Sequence, residues 1–281
     1  MFEEFVFPDR TKPEWNSTNW LQRRYLHWLN QERLKCILTF PVCSYACLTD
    51  KEGNFKDLDT FHFICSEYAQ GNSFFTYMSR SVDSLSSCCR LQNAVQENTF
   101  NTTNGQIGVM TGSKNVITLD LNRIIQDWQH TWSDYKDHID VNTNRCCFPV
   151  DWITHKDFQE GIKKYIENIL ERVYLYQYAY NDLMHWCKNH HLYAAYDAGF
   201  INLDKQYLTI GINGLNQAAE YLGMECNNNI YYKTFCRLIF STIKEQNKKH
   251  KTKTAQFNTE QVPAESASVK LYNRDKADGY W

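Results

Sequence analysis

Short β-branched and aromatic runs alternate with longer runs of helical period along most of this chain, and that alternation restricts it to α/β architectures, open or closed. The stretch from Thr39 to Leu48 reads as a buried strand, with Pro41 near its start, where a missing N–H donor is tolerable. Ser73 to Met78, Val116 to Leu121, Gln206 to Leu215 and Thr254 to Val262 read as further strands. Helices fit between them. Ser17 or Thr18 can cap one running through Leu21, Tyr25, Trp28, Leu29 and Leu34. Asp59 is expected to cap a second, through Phe63, Ile64 and Tyr68, closed by Gly71. A short helix is expected around Ile124, Ile125 and Trp128. From Asp157 to about His191, Ile162, Ile166, Ile169, Val173, Tyr176 and Tyr180 recur at helical intervals and predict one long helix. Later helices run through Ala218 to Leu222, from about Ile230 to the basic end at Lys248, and onward from Pro263. With no repeat and no low-complexity linker, one domain spanning 1–281 is the expectation.

The chain has 281 residues, 43% of them hydrophobic, ample for a sizeable core. The formal net charge is -2, so no global basic field argues for nucleic acid or an anionic membrane as partner. The run Lys248-Lys249-His250-Lys251 complements a helix dipole and reads as a solvated helix end. Eleven cysteines cannot all pair internally. Met1-Phe2-Glu3-Glu4 is acidic where a secretory signal would be basic, and no apolar run reaches the roughly eighteen residues of a membrane span. A cytoplasmic, reducing compartment with mostly free thiols is the economical expectation. The chain has no CxxC, and the vicinal pairs Cys88-Cys89 and Cys146-Cys147 have the wrong spacing for a zinc knuckle, so no metal site is expected. His190 and His191 would point roughly 100° apart in a helix, a poor shared metal face.

Chemistry is expected first at Leu85-Ser86-Ser87-Cys88-Cys89-Arg90-Leu91, where two thiols lie beside two hydroxyls and a guanidinium. Such thiols often serve as small buried hydrophobes; their reactivity depends on surroundings that sequence alone does not give. A polar, glycine-bearing stretch from Gln96 to Gly112 follows, so strands bracket a long loop, a suitable platform for a positioned reactive group. The second candidate is Pro263-Ala264-Glu265-Ser266-Ala267-Ser268, where small residues open a helix whose free N–H groups suit a phosphate, or where Glu265 or Ser266 merely caps it. Asn115 and Asn122, at the mouth and end of a strand, could hold a ribose hydroxyl or simply close turns. No G-x-S-x-G and no Walker or Rossmann glycine spacing is present.

Three blocks resemble anaerobic (class III) ribonucleoside-triphosphate reductases. Leu85 to Leu91 followed by Gly108 to Arg123 is similar to that family's cysteine-bearing finger loop and next strand. Tyr196-Asp197-Ala198-Gly199-Phe200 with Leu208 to Gly214 is similar to a later strand and turn. Val262 to Ser266, with Asp275 to Tyr280, resembles the substrate-phosphate loop and the helix after it. The resemblance implies part of a ten-stranded α/β barrel with a central finger loop at about 79–115 and a phosphate-loop strand and helix at about 254–281. It implies reduction of a ribonucleoside triphosphate at the 2′ carbon by thiyl-radical chemistry. Cys89 best matches the radical cysteine, with Cys88 as the alternative, and Asn115 matches an amide near the ribose. Ser87 and the run Pro263, Ala264, Glu265, Ser266 and Ala267 are then substrate contacts. No stretch matches the family's radical-glycine motif, its four-cysteine zinc segment or its N-terminal regulatory region. The implied partners are therefore a complementing chain with the glycyl radical, a radical-SAM iron–sulfur activase and, since family members are dimers, a second copy. Formate or a thioredoxin-like donor supplies electrons in the family. A non-catalytic nucleotide-binding or assembly subunit on the same scaffold is the competing expectation.

Overall fold

The computed structural model describes residues 16–36, 38, 43–71, 75–80, 84–86, 92–94, 112–131, 139–140, 142, 145–146, 148–261 and 265–281. The chain divides into two compact units, 1–97 and 98–281.

The first unit is built from α1 (Asn16–Lys35), β1 (Ser44–Leu48), α2 (Leu58–Ala69) and β2 (Phe75–Ser79). β1 and β2 pair in parallel, Ser44 opposite Phe75 and Leu48 opposite Ser79, so β1, α2 and β2 form a βαβ unit. The cap of α2 is Asp57, not the expected Asp59: its carboxylate accepts from the Thr60 N–H at 2.9 Å. Both aspartates precede the same apolar face, and only backbone geometry distinguishes them. Gly71 does follow the helix, at φ +88°, and donates its N–H to the Tyr68 carbonyl. Helices α1 and α2 are held together by polar bonds, and Leu29 of the first and Ile64 of the second are both buried. The buried Glu67 carboxylate meets His27 Nδ1 at 2.9 Å and accepts from Asn30 Nδ2 at 2.6 Å. A short antiparallel pair, β3 (Ser84–Ser86) with β4 (Gln92–Ala94), sets Ser86 opposite Gln92. Ser87, Cys88 and Cys89 fall between these two strands and lie outside the described residues.

The second unit contains a three-stranded parallel sheet in the order β5 (Ser113–Asp120), β8 (Tyr207–Asn213), β9 (Gln256–Gln261). Between β5 and β8 run α3 (Leu121–Gln129), a small hairpin of β6 (Ile139–Asp140) with β7 (Arg145–Cys146), α4 (Lys156–Asn189) and α5 (Ala194–Asp197). Between β8 and β9 run α6 (Leu215–Tyr221) and α7 (Ile230–His250); after β9 comes α8 (Glu265–Ala277). Parallel pairing demands such crossovers.

The two faces of this sheet differ in chemistry. Leu119, Leu208, Ile210, Ile212 and Phe257 are buried in one core with Ile125 of α3, Ile162, Ile166 and Leu170 of α4, Ala218 of α6 and Phe235 of α7. The alternate residues Ser113, Thr118, Thr209, Asn213, Asn258 and Glu260 give the other face a polar character. A parallel sheet covered by helices on both sides reads as near-continuous hydrophobic runs. The mixture here marks one face for packing and one for polar contact.

Along α4 the expected apolar stripe holds through Val173 and again at Tyr180, which packs against the core, but not at Tyr176. Tyr176 is 71% exposed, and the buried positions beyond it include Gln177 and Asn181. Gln177 is buried because it serves the sheet: its Nε2 donates to the Thr209 carbonyl at 3.0 Å. Among the described residues the strands form small separate sheets. A mixed α/β fold is established, and no described helix is long and apolar enough to cross a membrane.

Candidate functional site

Ligands in α/β sheets bind beyond the carboxyl ends of the strands, because helices begin there and offer unpaired N–H groups. In the second unit three helices begin there: α3 follows β5 directly, α6 follows β8 through Gly214, and α8 follows β9. A cavity of about 880 Å³ opens at this edge. Its wall is formed by Asp120 and Asn122 at the start of α3, Asn213 to Gln217 across the β8–α6 turn, and Tyr232 of α7. Ser268, Val269, Leu271, Tyr272, Asp275 and Lys276 of α8 close it with Tyr280 and Trp281.

The turn at Gly214 is obligatory. Its φ is +73°, and a Cβ there would lie 3.0 Å from the Asn122 backbone nitrogen and 3.3 Å from the Asp120 carboxylate. Glycine thus lets the β8–α6 turn press against the start of α3. Next to it, Asn213 Nδ2 donates to Ser268 Oγ at 3.0 Å, fastening the end of β8 to the first turn of α8. Tyr232 Oη donates to Asn216 Oδ1 at 2.7 Å, and Cys226 Sγ lies 3.5 Å from the Asn216 carbonyl.

A second polar group fixes the stretch after α8. Arg123 Nε meets Asp275 Oδ1 at 2.8 Å and its Nη2 meets Asp278 Oδ2 at 2.7 Å. The same guanidinium lies over the Tyr280 ring, 4.4 Å from its centroid. Tyr280 Oη donates to Asp127 Oδ1 at 2.5 Å, and that bond, with burial, pushes the phenol up to about 12. Asn122 Nδ2 donates to the Trp281 carbonyl at 2.7 Å and to Asp275 Oδ2 at 3.2 Å. The Asn122 amide is therefore committed within the fold. Asp120, the cap of α3, is held above the usual carboxylate range by burial and by the neighbouring Asp275, against the opposing pull of Arg123.

Of the sequence-predicted site residues, Ser87, Cys88, Cys89, Pro263 and Ala264 lie outside the described residues. Glu265 and Ser266 belong to the first turn of α8, and Ala267 is exposed in that turn. Asn115 sits on β5, half-buried, and donates to Gln177 Oε1 at 2.9 Å; it joins the helix-covered side of the sheet. It does not line the cavity with Asn213 and Ser268. Sequence reasoning missed the role of Asn213 and the polar row Ser113, Thr209, Asn258 and Glu260. The available signal was alternation: polar residues occupy every second place in Gln256-Phe257-Asn258-Thr259-Glu260, opposite the core positions. Among the described residues no cluster of three His, Cys, Asp or Glu side chains could hold a metal ion.

The solved structures similar to this chain include the anaerobic ribonucleotide reductase from Thermotoga maritima in complex with dATP and CTP. The identity is 24% and the TM-score 0.47, covering 92% of this chain and 38% of that one. The same enzyme with citrate in the active site gives 23% identity and a TM-score of 0.46, covering 98% of this chain and 46% of that one. The chain spans less than half the length of these structures. No curated protein matches it. The family model for anaerobic ribonucleoside-triphosphate reductase matches residues 10–280. The match takes in both units and every element described above, and the chain belongs to the anaerobic ribonucleoside-triphosphate reductase family.

Proposed function

We propose that this chain is the catalytic-barrel portion of an anaerobic ribonucleoside-triphosphate reductase, contributing to a ten-stranded α/β barrel around a central finger loop. The family match over residues 10–280 carries the reading. In it, Cys89, or alternatively Cys88, bears the thiyl radical and takes the 3′ hydrogen of the ribose. One S–H bond forms as one C–H bond breaks, leaving the radical on carbon. Ser87 flanks that thiol. The run Pro263, Ala264, Glu265, Ser266 and Ala267 holds the phosphates, with the first turn of α8 as anion site. The bond from Asn213 to Ser268 supports this placement, since it fixes that turn at the sheet edge. Clamping the phosphates orients the sugar over the sulfur, and such positioning supplies a large share of catalysis. A thiyl also needs a site closed to water and stray reductants.

The glycyl radical that starts the reaction belongs to a further segment, as do the family's structural zinc and regulatory domain. A radical-SAM activase generates that radical, and the working assembly, a homodimer in this reading, is expected in the cytoplasm. The test is anaerobic reconstitution with a polypeptide bearing the radical glycine and with the activase, followed by assay of deoxynucleotide formation. Cys89→Ser is expected to abolish turnover while Cys88→Ser retains part of it. Equal activity of Cys89→Ser and the parent would remove Cys89 from the mechanism. Nucleotide binding without turnover in the parent would favour a non-catalytic assembly subunit.

A further inference from the structure

The polar face of the β5–β8–β9 sheet carries a directed hydrogen-bond chain that crosses all three strands. At one end is the Glu260 carboxylate, which accepts from Asn258 Nδ2 at 2.7 Å. That orientation turns Asn258 Oδ1 toward β8, where it accepts from Thr209 Oγ1 at 2.7 Å. Thr209 has one hydroxyl proton and has spent it. Its oxygen lies 2.6 Å from Ser113 Oγ, so Ser113 must be the donor of that bond. The other close partner of Ser113 is Glu260 Oε1 at 3.4 Å, again an acceptor. Both contacts draw the Ser113 proton away from the face. Thr209, at the centre of the relay, is fully buried and its partners are half-buried, and such linked bonds reinforce one another.

Ser113 is only half-buried, and its oxygen retains lone-pair capacity on the polar face of the sheet. Along β8, Thr209 and Asn213 are four residues apart, about 13 Å at the usual rise of ~3.3 Å per residue. The acceptor hydroxyl and the clamped turn of α8 therefore lie on one face, separated by a span suited to an extended nucleoside triphosphate.

We propose that Ser113 accepts a hydrogen bond from a sugar hydroxyl of the bound nucleotide, and that Glu260, through Asn258 and Thr209, is the positioning residue that makes Ser113 an acceptor. This rests on the ribonucleotide reading above. A donor relay ending in a carboxylate raises the hydrogen-bond basicity of its first oxygen, as a neutral serine free to rotate would not. Ser113 discriminates for a hydroxyl because an analogue lacking that group leaves the polarised oxygen without a donor.

Calorimetric titration of the chain assembled with the polypeptide bearing the radical glycine tests this. The probes are the four ribonucleoside triphosphates and their 2′-deoxy and 3′-deoxy counterparts. Ser113→Ala is expected to weaken ribonucleotide binding about threefold to tenfold, the range of one net hydrogen bond. It should leave unchanged the binding of whichever counterpart lacks the contacted hydroxyl. Thr209→Val and Glu260→Gln should lose the same discrimination, and Ser113→Thr should restore it. A loss of equal size for all three sugars, or no loss at all, overturns the inference while leaving the ribonucleotide reading intact. Failure of the parent assembly to bind any ribonucleoside triphosphate overturns both.

Discussion

Asn213 and Ser268 are 55 residues apart in sequence and joined by a 3.0 Å hydrogen bond, so the last residue of β8 sets the position of the first turn of α8. In the proposed reading that turn holds the substrate phosphates. Asn213→Ala should raise KM for the ribonucleoside triphosphate about threefold to tenfold, by analogy with loss of one hydrogen bond. Because the bond is exposed, the melting temperature should hardly move. Steady-state kinetics of the reconstituted enzyme, with a calorimetric melt alongside, checks both parts. An unchanged KM with a collapsed melting temperature would make the contact purely structural.

Gly214→Ala tests the turn itself. A non-glycine residue at φ +73° costs roughly 1–2 kcal/mol, and the added Cβ would crowd the Asn122 amide nitrogen at 3.0 Å. Urea unfolding should show a destabilisation of at least about 1 kcal/mol. A neutral result would mean that the start of α3 yields freely.

The charge on Asp120 gives a pH dependence. Burial and Asp275 raise its folded pKa above the unfolded value. The native state therefore holds this proton more tightly than the unfolded chain, and the group favours folding most at low pH. The contribution is lost as pH rises from the unfolded value of about 4 through the raised folded one. Asp120→Asn keeps a competent helix cap and removes the charge. Relative to the parent's, its melting temperature should rise as the pH is raised above about 4. Parallel curves for the two proteins would contradict this account.

Asn115→Ala distinguishes two roles. Asn115 donates to Gln177, which is fully buried, so removing the donor leaves the Gln177 Oε1 without this partner. A cost of about 1–3 kcal/mol is expected. Thermal unfolding of the chain measures it. A variant as stable as the parent but deficient in turnover would instead support the ribose contact that the family resemblance implies.

Leu170 and Leu175 are five residues apart on α4 and face opposite ways. Leu170 is fully buried and Leu175 is 68% exposed. Leu170→Ala should cost about 2–5 kcal/mol, while Leu175→Ala should stay within about 0.5 kcal/mol. Chemical denaturation of the pair checks the orientation of the helix.

The alternation of strands and helices was legible in the sequence because most elements obey their periods. Ile162 and Ile166 announced α4, and Val116 to Leu119 announced β5. The stripe on α4 holds at Tyr180 but fails at Tyr176, and it leaves out Gln177 and Asn181, which occupy buried places. Hydrophobic periodicity counts apolar side chains and is blind to a buried amide that feeds a strand carbonyl. The site was less legible for a related reason. Arg123 and Asp275 are 152 residues apart, and charge alone does not announce such a pairing. The resemblance had placed both residues in matching blocks without showing that they meet. Asn213 was read only as part of a strand and turn, since its value comes from a helix that begins much later.

Because the apolar side chains of β5, β8 and β9 project under the helices, cohesion and polar contact are assigned to opposite sides of the same three strands. Thr118, Asn213 and Glu260 can be exchanged without opening a void in the core, whereas Ile210 cannot. In the proposed reading, selection can retune what this surface recognises while the scaffold beneath it stays put, so a new preference needs few amino-acid changes.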